Sequence, residues 1–166
     1  MTEQTNHIGA APGMGGGVKQ RDKIKMTPEE IDDFLRGWHT MSCATINHDG
    51  TIHLVAMWYG LLEGCPALET KTKSQKVQNL RRNPQITCMI EEGDSYDQLV
   101  GVEMVGTAEI VEEPERIFEL GISMVERTSG QTYTEDMRPA VEMMINKRVA
   151  VKIHVDHYVS WDHRKL

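Results

Sequence analysis

Residues 68–84 read Leu68-Glu69-Thr70-Lys71-Thr72-Lys73-Ser74-Gln75-Lys76-Val77-Gln78-Asn79-Leu80-Arg81-Arg82-Asn83-Pro84. A β-rich run, Ala67 to Thr72, ends in hydroxyl and ammonium groups, and a helix is predicted to begin at once, from Ser74 to Arg82. Ser74 is placed to cap it, Val77 and Leu80 give it an apolar edge, and Asn83-Pro84 stops it. The start of such a helix carries unbonded N–H groups and a partial positive charge. With the hydroxyls of Thr72 and Ser74 and the charges of Lys73 and Lys76, it forms a compact anion site. The competing reading is a solvated helix edge with a capping serine, and on these residues alone both stay open.

On either side of this segment the pattern is that of strands. Upstream, Thr27-Pro28-Glu29-Glu30 is a capping box with proline at the first helical position, and Ile31, Phe34, Leu35 and Trp38 share one face, so a helix is predicted to about His39. Met41 to Asn47 reads as a strand, Asp49-Gly50 as a two-residue turn, and Thr51 to Leu62 as one longer strand. Downstream, Gln85 to Glu91 and Leu99 to Val111 are strands. A helical region opens at Pro114, with Ile117, Leu120, Ile122, Met124 and Val125 as its apolar face. Another opens at Thr134, with Val141, Met144 and Ile145 inward and Met137, Met143 and Met144 as packing residues. Arg148 to His154 is the last strand predicted, followed by a tail ending in Trp161-Asp162-His163-Arg164-Lys165-Leu166. Connections of hairpin length make the sheet antiparallel. Six or so strands with few long crossovers favour a closed or split β-barrel flanked by helices, mainly β in an α+β arrangement, over a doubly wound sheet.

The bulk properties bound the function. The 166 residues suit one domain, with residues 1–22, including the run Gly9 to Gly17, expected as a flexible leader and 23–166 as the folded unit. No strand precedes that glycine run, so it is not expected to cradle phosphate. A net charge of -7 argues against a nucleic-acid partner. No apolar run of membrane-spanning length and no signal-peptide pattern occur, so no membrane association and a cytoplasmic location are expected. Cys43, Cys65 and Cys88 are widely spaced and suit reduced thiols. His48, His53, His154, His157 and His163 fall in no metal-binding spacing, so no metal is expected. No nucleophile motif occurs, and no side chain is singled out as a catalytic acid or base.

The sequence strand-Thr, Ser-x-Lys, Leu and Asn-Pro resembles the pyridoxamine 5'-phosphate oxidase-like split β-barrel superfamily. Ala44-Thr45-Ile46, Asp49-Gly50 and His53 to Tyr59 resemble its first hairpin, and Lys76 to Pro84 is similar to the branch that uses the deazaflavin coenzyme F-420. The resemblance implies an FMN-binding-like split barrel in a homodimer. It implies that Thr70, Thr72, Ser74, Gln75 and Lys76 grip a cofactor phosphate, that Asn79 supports them, and that Val55, Ala56, Met57 and Trp58 lie along the ring system. It also implies that Trp161 and Arg164 reach a cofactor, in the same or the partner subunit. The family's true oxidases carry Asn and Arg where this chain has Lys71 and Gln75, which points away from vitamin B6 chemistry. The cofactor implied is F-420 or FMN. Lys71, Lys73 and Arg81 favour F-420, whose tail is longer and acidic. The implied activity is hydride transfer between that cofactor and a planar conjugated small molecule; the alternatives are a cofactor carrier with no substrate, an FMN-dependent pyridoxamine phosphate oxidase-like enzyme, or a haem-handling barrel.

Overall fold

A seven-stranded antiparallel sheet runs in the order β2-β1-β5-β6-β7-β4-β3. Its strands are β1 (Met41–Ile46), β2 (Ile52–Met57), β3 (Gly60–Leu62), β4 (Cys65–Lys71), β5 (Gln85–Glu92), β6 (Val100–Val111) and β7 (Arg148–Asp162). Among the described residues five α-helices accompany it: α1 (Gln20–Ile24), α2 (Pro28–Arg36), α3 (Gln75–Arg82), α4 (Pro114–Ser129) and α5 (Arg138–Ile145). The computed structural model describes residues 20–37 and 39–166; the glycine run, most of the expected leader and Trp38 lie outside them. The last residues assigned to that leader, Gln20 to Asp22, belong to α1.

Connectivity forces the sheet to curl. β2 and β3 are its two edges, yet only Trp58 and Tyr59 separate them in the chain. Three Cα–Cα steps reach about 11 Å, whereas the edges of a flat seven-stranded sheet stand about 29 Å apart. The edges must therefore approach, and the sheet becomes a split barrel. This is also why the single strand predicted over Thr51 to Leu62 is two: the chain leaves one edge, buries Tyr59, and joins the other. The Tyr59 hydroxyl donates to the Leu35 carbonyl at 2.8 Å. Arg127 of α4 stacks over the Tyr59 ring and donates to the carbonyls of Leu35, Arg36 and Gly37. Together they satisfy the C-terminal carbonyls of α2.

The start of α2 follows the sequence closely. Thr27 Oγ1 accepts from the Glu30 N–H at 3.2 Å and Glu30 accepts from the Thr27 N–H at 2.7 Å, a complete capping box. The hairpin between β1 and β2 differs from the two-residue turn. Gly50 N donates to Asn47 O, Asn47 N donates to Thr51 O, and Gly50 takes φ +83°, so the loop holds three residues with glycine in the left-handed position. β7 runs eight residues past the predicted end at His154, to Asp162, because β6 is long enough to pair with it throughout. A bulge at Val105/Gly106 bends this pair. A Cβ at Gly106 would come 2.0 Å from the His154 carbonyl oxygen, so only glycine fits.

The barrel interior is filled by Met41, Cys43, Tyr59, Leu68, Ile90, Val102, Met104 and Ile153. A second apolar layer, with Leu62, Ala67, Val111 and Ala150, lies under α4 and α5. The buried stripe of α4 is Ile117, Leu120, Gly121 and Met124, at i, i+3, i+4 and i+7. Ile122 and Val125, expected in that stripe, are only half-buried. The helix expected from Thr134 begins as a single 3-10 turn, Glu135–Met137, before α5. Val141 is buried and Met144 packs on the second layer, but Met143, expected to pack, points to solvent. Among the described residues no helix is long and apolar enough to cross a membrane.

Candidate functional site

The turn from β4 into α3 gathers polar groups around one buried ammonium. Ser74 N donates to Lys71 O at 2.9 Å, which closes the turn and aims the start of α3 back across the end of β4. Ser74 occupies the capping position with extended dihedrals, but its side chain makes no cap bond. Its hydroxyl instead accepts from Thr70 Oγ1 at 3.1 Å. Lys76 Nζ donates to the same Thr70 oxygen at 3.2 Å. The expected serine cap is therefore replaced by a chain of hydroxyls leading to a lysine, and among the described residues no side chain caps the first turn of α3.

Lys76 is buried, and burial pulls its ammonium below the usual lysine range, with the nearby Cys43 thiol pulling the other way. Among the described residues no carboxylate pairs with it. A buried cation without a counter-charge is costly, and an incoming anion relieves that cost. The donor set of Thr70, Ser74, Lys76 and the uncapped helix turn thus fits a phosphate group.

Asn79 holds this corner to the first hairpin. Fully buried, it donates from Nδ2 to Thr45 Oγ1 at 3.0 Å and Asn47 Oδ1 at 2.9 Å. Its Oδ1 accepts from Gln75 at 2.9 Å and Arg82 at 3.3 Å. Gln75 is exposed and borders an open cleft of about 380 Å³ with Asn47, His48, Asp49 and His53. Thr72 is half-buried, its N–H donating to Lys147 O at 3.3 Å, while Lys71 and Lys73 point to solvent. Arg81 is engaged by Glu112.

Of the strand expected to face a ring, Val55 and Met57 pack toward the barrel core while Ala56 and Trp58 are exposed. Ala56, Met57 and Trp58 line a cleft of about 240 Å³ together with Glu69, Met124 and Arg148. Glu69 and Arg148 were not among the expected site residues. Glu69 is 1% exposed, its carboxyl oxygens have no hydrogen-bond partner among the described residues, and burial raises its pKa to about 7 against the weaker pull of Arg148. The sequence offered one sign of it, an acid amid the apolar run Ala67-Leu68.

Trp161 and Arg164 stand apart from this corner. β4 pairs with the first residues of β7, Lys71 opposite Arg148, whereas Trp161 is at the far end of that fifteen-residue strand. There the Trp161 ring covers Gly101, and Arg164 forms a two-pronged pair with Asp162 at 2.8 and 3.0 Å. Within one chain the structure brings together Thr70, Ser74, Lys76 and Asn79, with Gln75 beside them, and leaves Trp161 and Arg164 at the other end.

The sequence pattern described as "Pyridoxamine 5'-phosphate oxidase" matches residues 27–162. The chain belongs to the pyridoxamine 5'-phosphate oxidase family. Within this family's split-barrel fold, a conserved hypothetical protein from Mycobacterium tuberculosis is 50% identical, with a TM-score of 0.84 over 89% of this chain and 92% of that one. An F420 reductase is 22% identical, with a TM-score of 0.59 over 80% of this chain and 98% of that one. A heme storage protein from Vibrio cholerae is 15% identical, with a TM-score of 0.61 over 80% and 94%. The last two share the fold alone. Among curated proteins none matches this sequence.

Proposed function

We propose that this chain is an oxidoreductase that holds coenzyme F-420 or FMN by its phosphate, on Thr70, Thr72, Ser74, Gln75 and Lys76, and works on a planar conjugated small molecule. The observation that carries this reading is the buried, uncompensated Lys76 at the hydroxyl-lined start of α3, in a member of a family named for a phosphate-bearing substrate. When bound, the cofactor supplies hydride chemistry; the protein supplies binding, orientation and electrostatics. Lys76, with Thr70 and Ser74, neutralises and positions the phosphate. Asn79 keeps α3 aimed at it through Thr45 and Asn47. Ala56, Met57 and Trp58 offer the flat, mostly apolar edge that a ring system needs. The exposed ammonium groups of Lys71 and Lys73 favour F-420, whose tail carries further negative charge.

The test is a fluorescence titration of the purified chain with each cofactor. Saturable F-420 binding supports the reading as stated, FMN binding alone changes the cofactor, and binding of neither overturns it. A homodimer belongs to the same reading. The outer sheet face presents Ile52 and Leu54, 61% and 64% exposed, and the β2-β1-β5 register puts Met89 on the same face. Light scattering should give twice the 18.8 kDa chain mass. Cys43, Cys65 and Cys88 are free thiols, which suits a reducing compartment such as the cytoplasm.

A further inference from the structure

The cleft behind Trp58 has a feature that phosphate binding does not use. Glu69 and Thr70 are neighbours on β4 and face opposite ways. Thr70 turns to Lys76, while Glu69 turns under α4, where a Cβ on Gly121 would stand 3.3 Å from its Oε1. Gly121 lets the helix close over the carboxyl, and Val141 and Ile145 of α5 crowd the same glycine, 2.7 and 2.9 Å from where its Cβ would stand. The charged group acting on Glu69 is Arg148, from the start of β7; Gly121, Val141 and Ile145 bring no titratable group. Among the described residues both carboxyl oxygens remain without a hydrogen-bond partner. A buried polar group with no partner calls for one, and the cleft that Glu69 lines is where a partner can sit.

The walls narrow the ligand class. Met57 and Trp58, at the end of the edge offered to the cofactor ring, and Met124 across the cleft are apolar or aromatic and suit a flat hydrocarbon surface stacked beside that ring. A carboxylic acid donates one hydrogen bond, and a guanidinium donates only, so the polar end of the cleft asks for an acceptor oxygen. We propose that this cleft is the substrate pocket, that it takes a small conjugated ketone or aldehyde, and that Glu69 donates a hydrogen bond to the carbonyl oxygen with Arg148 beside it. The proposal rests on the oxidoreductase reading and gives its substrate class and a polar anchor. It makes Glu69 a residue that touches substrate, where the sequence pointed to none. The carboxyl keeps its proton up to about pH 7 and so remains a donor through mildly acidic conditions.

The probe is para-dimethylaminobenzalacetone, a conjugated ketone whose absorption band moves to the red when its oxygen accepts a hydrogen bond. With the full chain the band should shift saturably at a pH one unit below about 7, and the shift should fade one unit above it. Glu69→Gln keeps a donor of the same shape, so it should retain the shift and lose its pH dependence. Glu69→Leu should lose the shift and bind about tenfold more weakly. Absence of saturable binding, an unchanged shift in Glu69→Leu, or an unchanged pH dependence in Glu69→Gln overturns the proposal. Cofactor fluorescence on the same samples separates the two readings. If Lys76→Ala weakens cofactor binding while the ketone gives no shift, the pocket assignment alone falls. If the ketone behaves as described while neither cofactor binds, the oxidoreductase reading falls, and the substrate role of the pocket with it.

Discussion

Lys76 Nζ lies 3.2 Å from Thr70 Oγ1, and that hydroxyl in turn lies 3.1 Å from Ser74 Oγ. Among the described residues the largely buried ammonium therefore meets a neutral hydroxyl and no carboxylate.

The first prediction is a trade between stability and binding at this point. Burial lowers the Lys76 pKa, so the folded state holds its proton less tightly than the unfolded state and the charged group opposes folding near neutral pH. Lys76→Met keeps the volume and removes the charge. It should raise the melting temperature of the cofactor-free protein while weakening phosphate or cofactor binding by roughly 1.5–3 kcal/mol, the value of a charge-assisted hydrogen bond. Thermal melts with and without inorganic phosphate read both effects. Phosphate should stabilise the wild type and leave the variant unmoved. A variant that melts lower and still responds to phosphate would place the anion elsewhere.

The second prediction concerns Glu69 and pH. Its pKa rises from 4.5 in the unfolded chain to about 7 in the folded one. A raised folded pKa means that the folded state binds the extra proton. The contribution is fully present below about pH 4.5 and is lost as pH rises to about 7. The shift corresponds to about 3 kcal/mol as an upper bound. Glu69→Gln does not titrate, so urea unfolding should find it at least as stable as wild type at pH 8, without the wild-type decline between pH 5 and 8. Parallel slopes for the two proteins would mean that the carboxyl is solvated.

Local chemistry made much of the fold legible. The Thr27 to Glu30 box states its own geometry within four residues, and α2 begins where the box places it. The β4 to α3 corner was readable in part: Thr70, Ser74 and Lys76 meet within seven residues of chain, but Ser74 bonds Thr70 instead of capping α3 as expected. What the local pattern could not carry was closure. Trp58 and Tyr59 read as the middle of a strand; they are a link between two sheet edges, because the other strands decide where those edges lie. The length of β7 was hidden for the same reason: pairing with β6 extends Tyr158 to Asp162, where composition shows only a mixed tail. Glu69 is the sharpest case. The adjoining Ala67-Leu68 hints at burial but not at an unpartnered acid, since Gly121, which lets α4 close over the carboxyl, comes fifty and more residues later.

A third prediction tests how the far end of the barrel is held. A Cβ at Gly101 would stand 2.2 Å from Trp161 Cζ2, and Gly101 and Trp161 are partners across β6 and β7. Gly101→Ala must push the indole off the sheet. Stability should fall by about 1–3 kcal/mol, the usual cost of overpacking. Tryptophan emission should move to the red as the Trp161 ring becomes wetter. Because Trp161 and the Lys76 corner lie at opposite ends of β7, phosphate binding within one subunit should not change. If the variant loses phosphate binding and dimerisation together, the Trp161 end of one subunit completes the site of another.

The fourth prediction turns on Asn79, which joins α3 to the β1–β2 hairpin through two hydrogen bonds given to Thr45 and Asn47 and receives two more within α3, from Gln75 and Arg82. Asn79→Ala leaves the buried Thr45 hydroxyl without this donor and opens a small void. It should cost about 2–3 kcal/mol in urea unfolding. Asn79→Asp keeps the shape but only accepts, so the Asn47 oxygen would face a carboxylate where it now meets an N–H group. That variant also sets a negative charge on the helix that carries Lys76, one turn beyond it. Isothermal titration should show phosphate binding weakened more by Asn79→Asp than by Asn79→Ala, although Asn79→Asp disturbs packing less. The ordering separates the two roles of Asn79: a purely structural residue would give affinities that follow stability, whereas a residue that sets the field at an anion site gives affinities that follow charge. Equal phosphate affinity in wild type and Asn79→Asp would remove α3 from the anion site altogether.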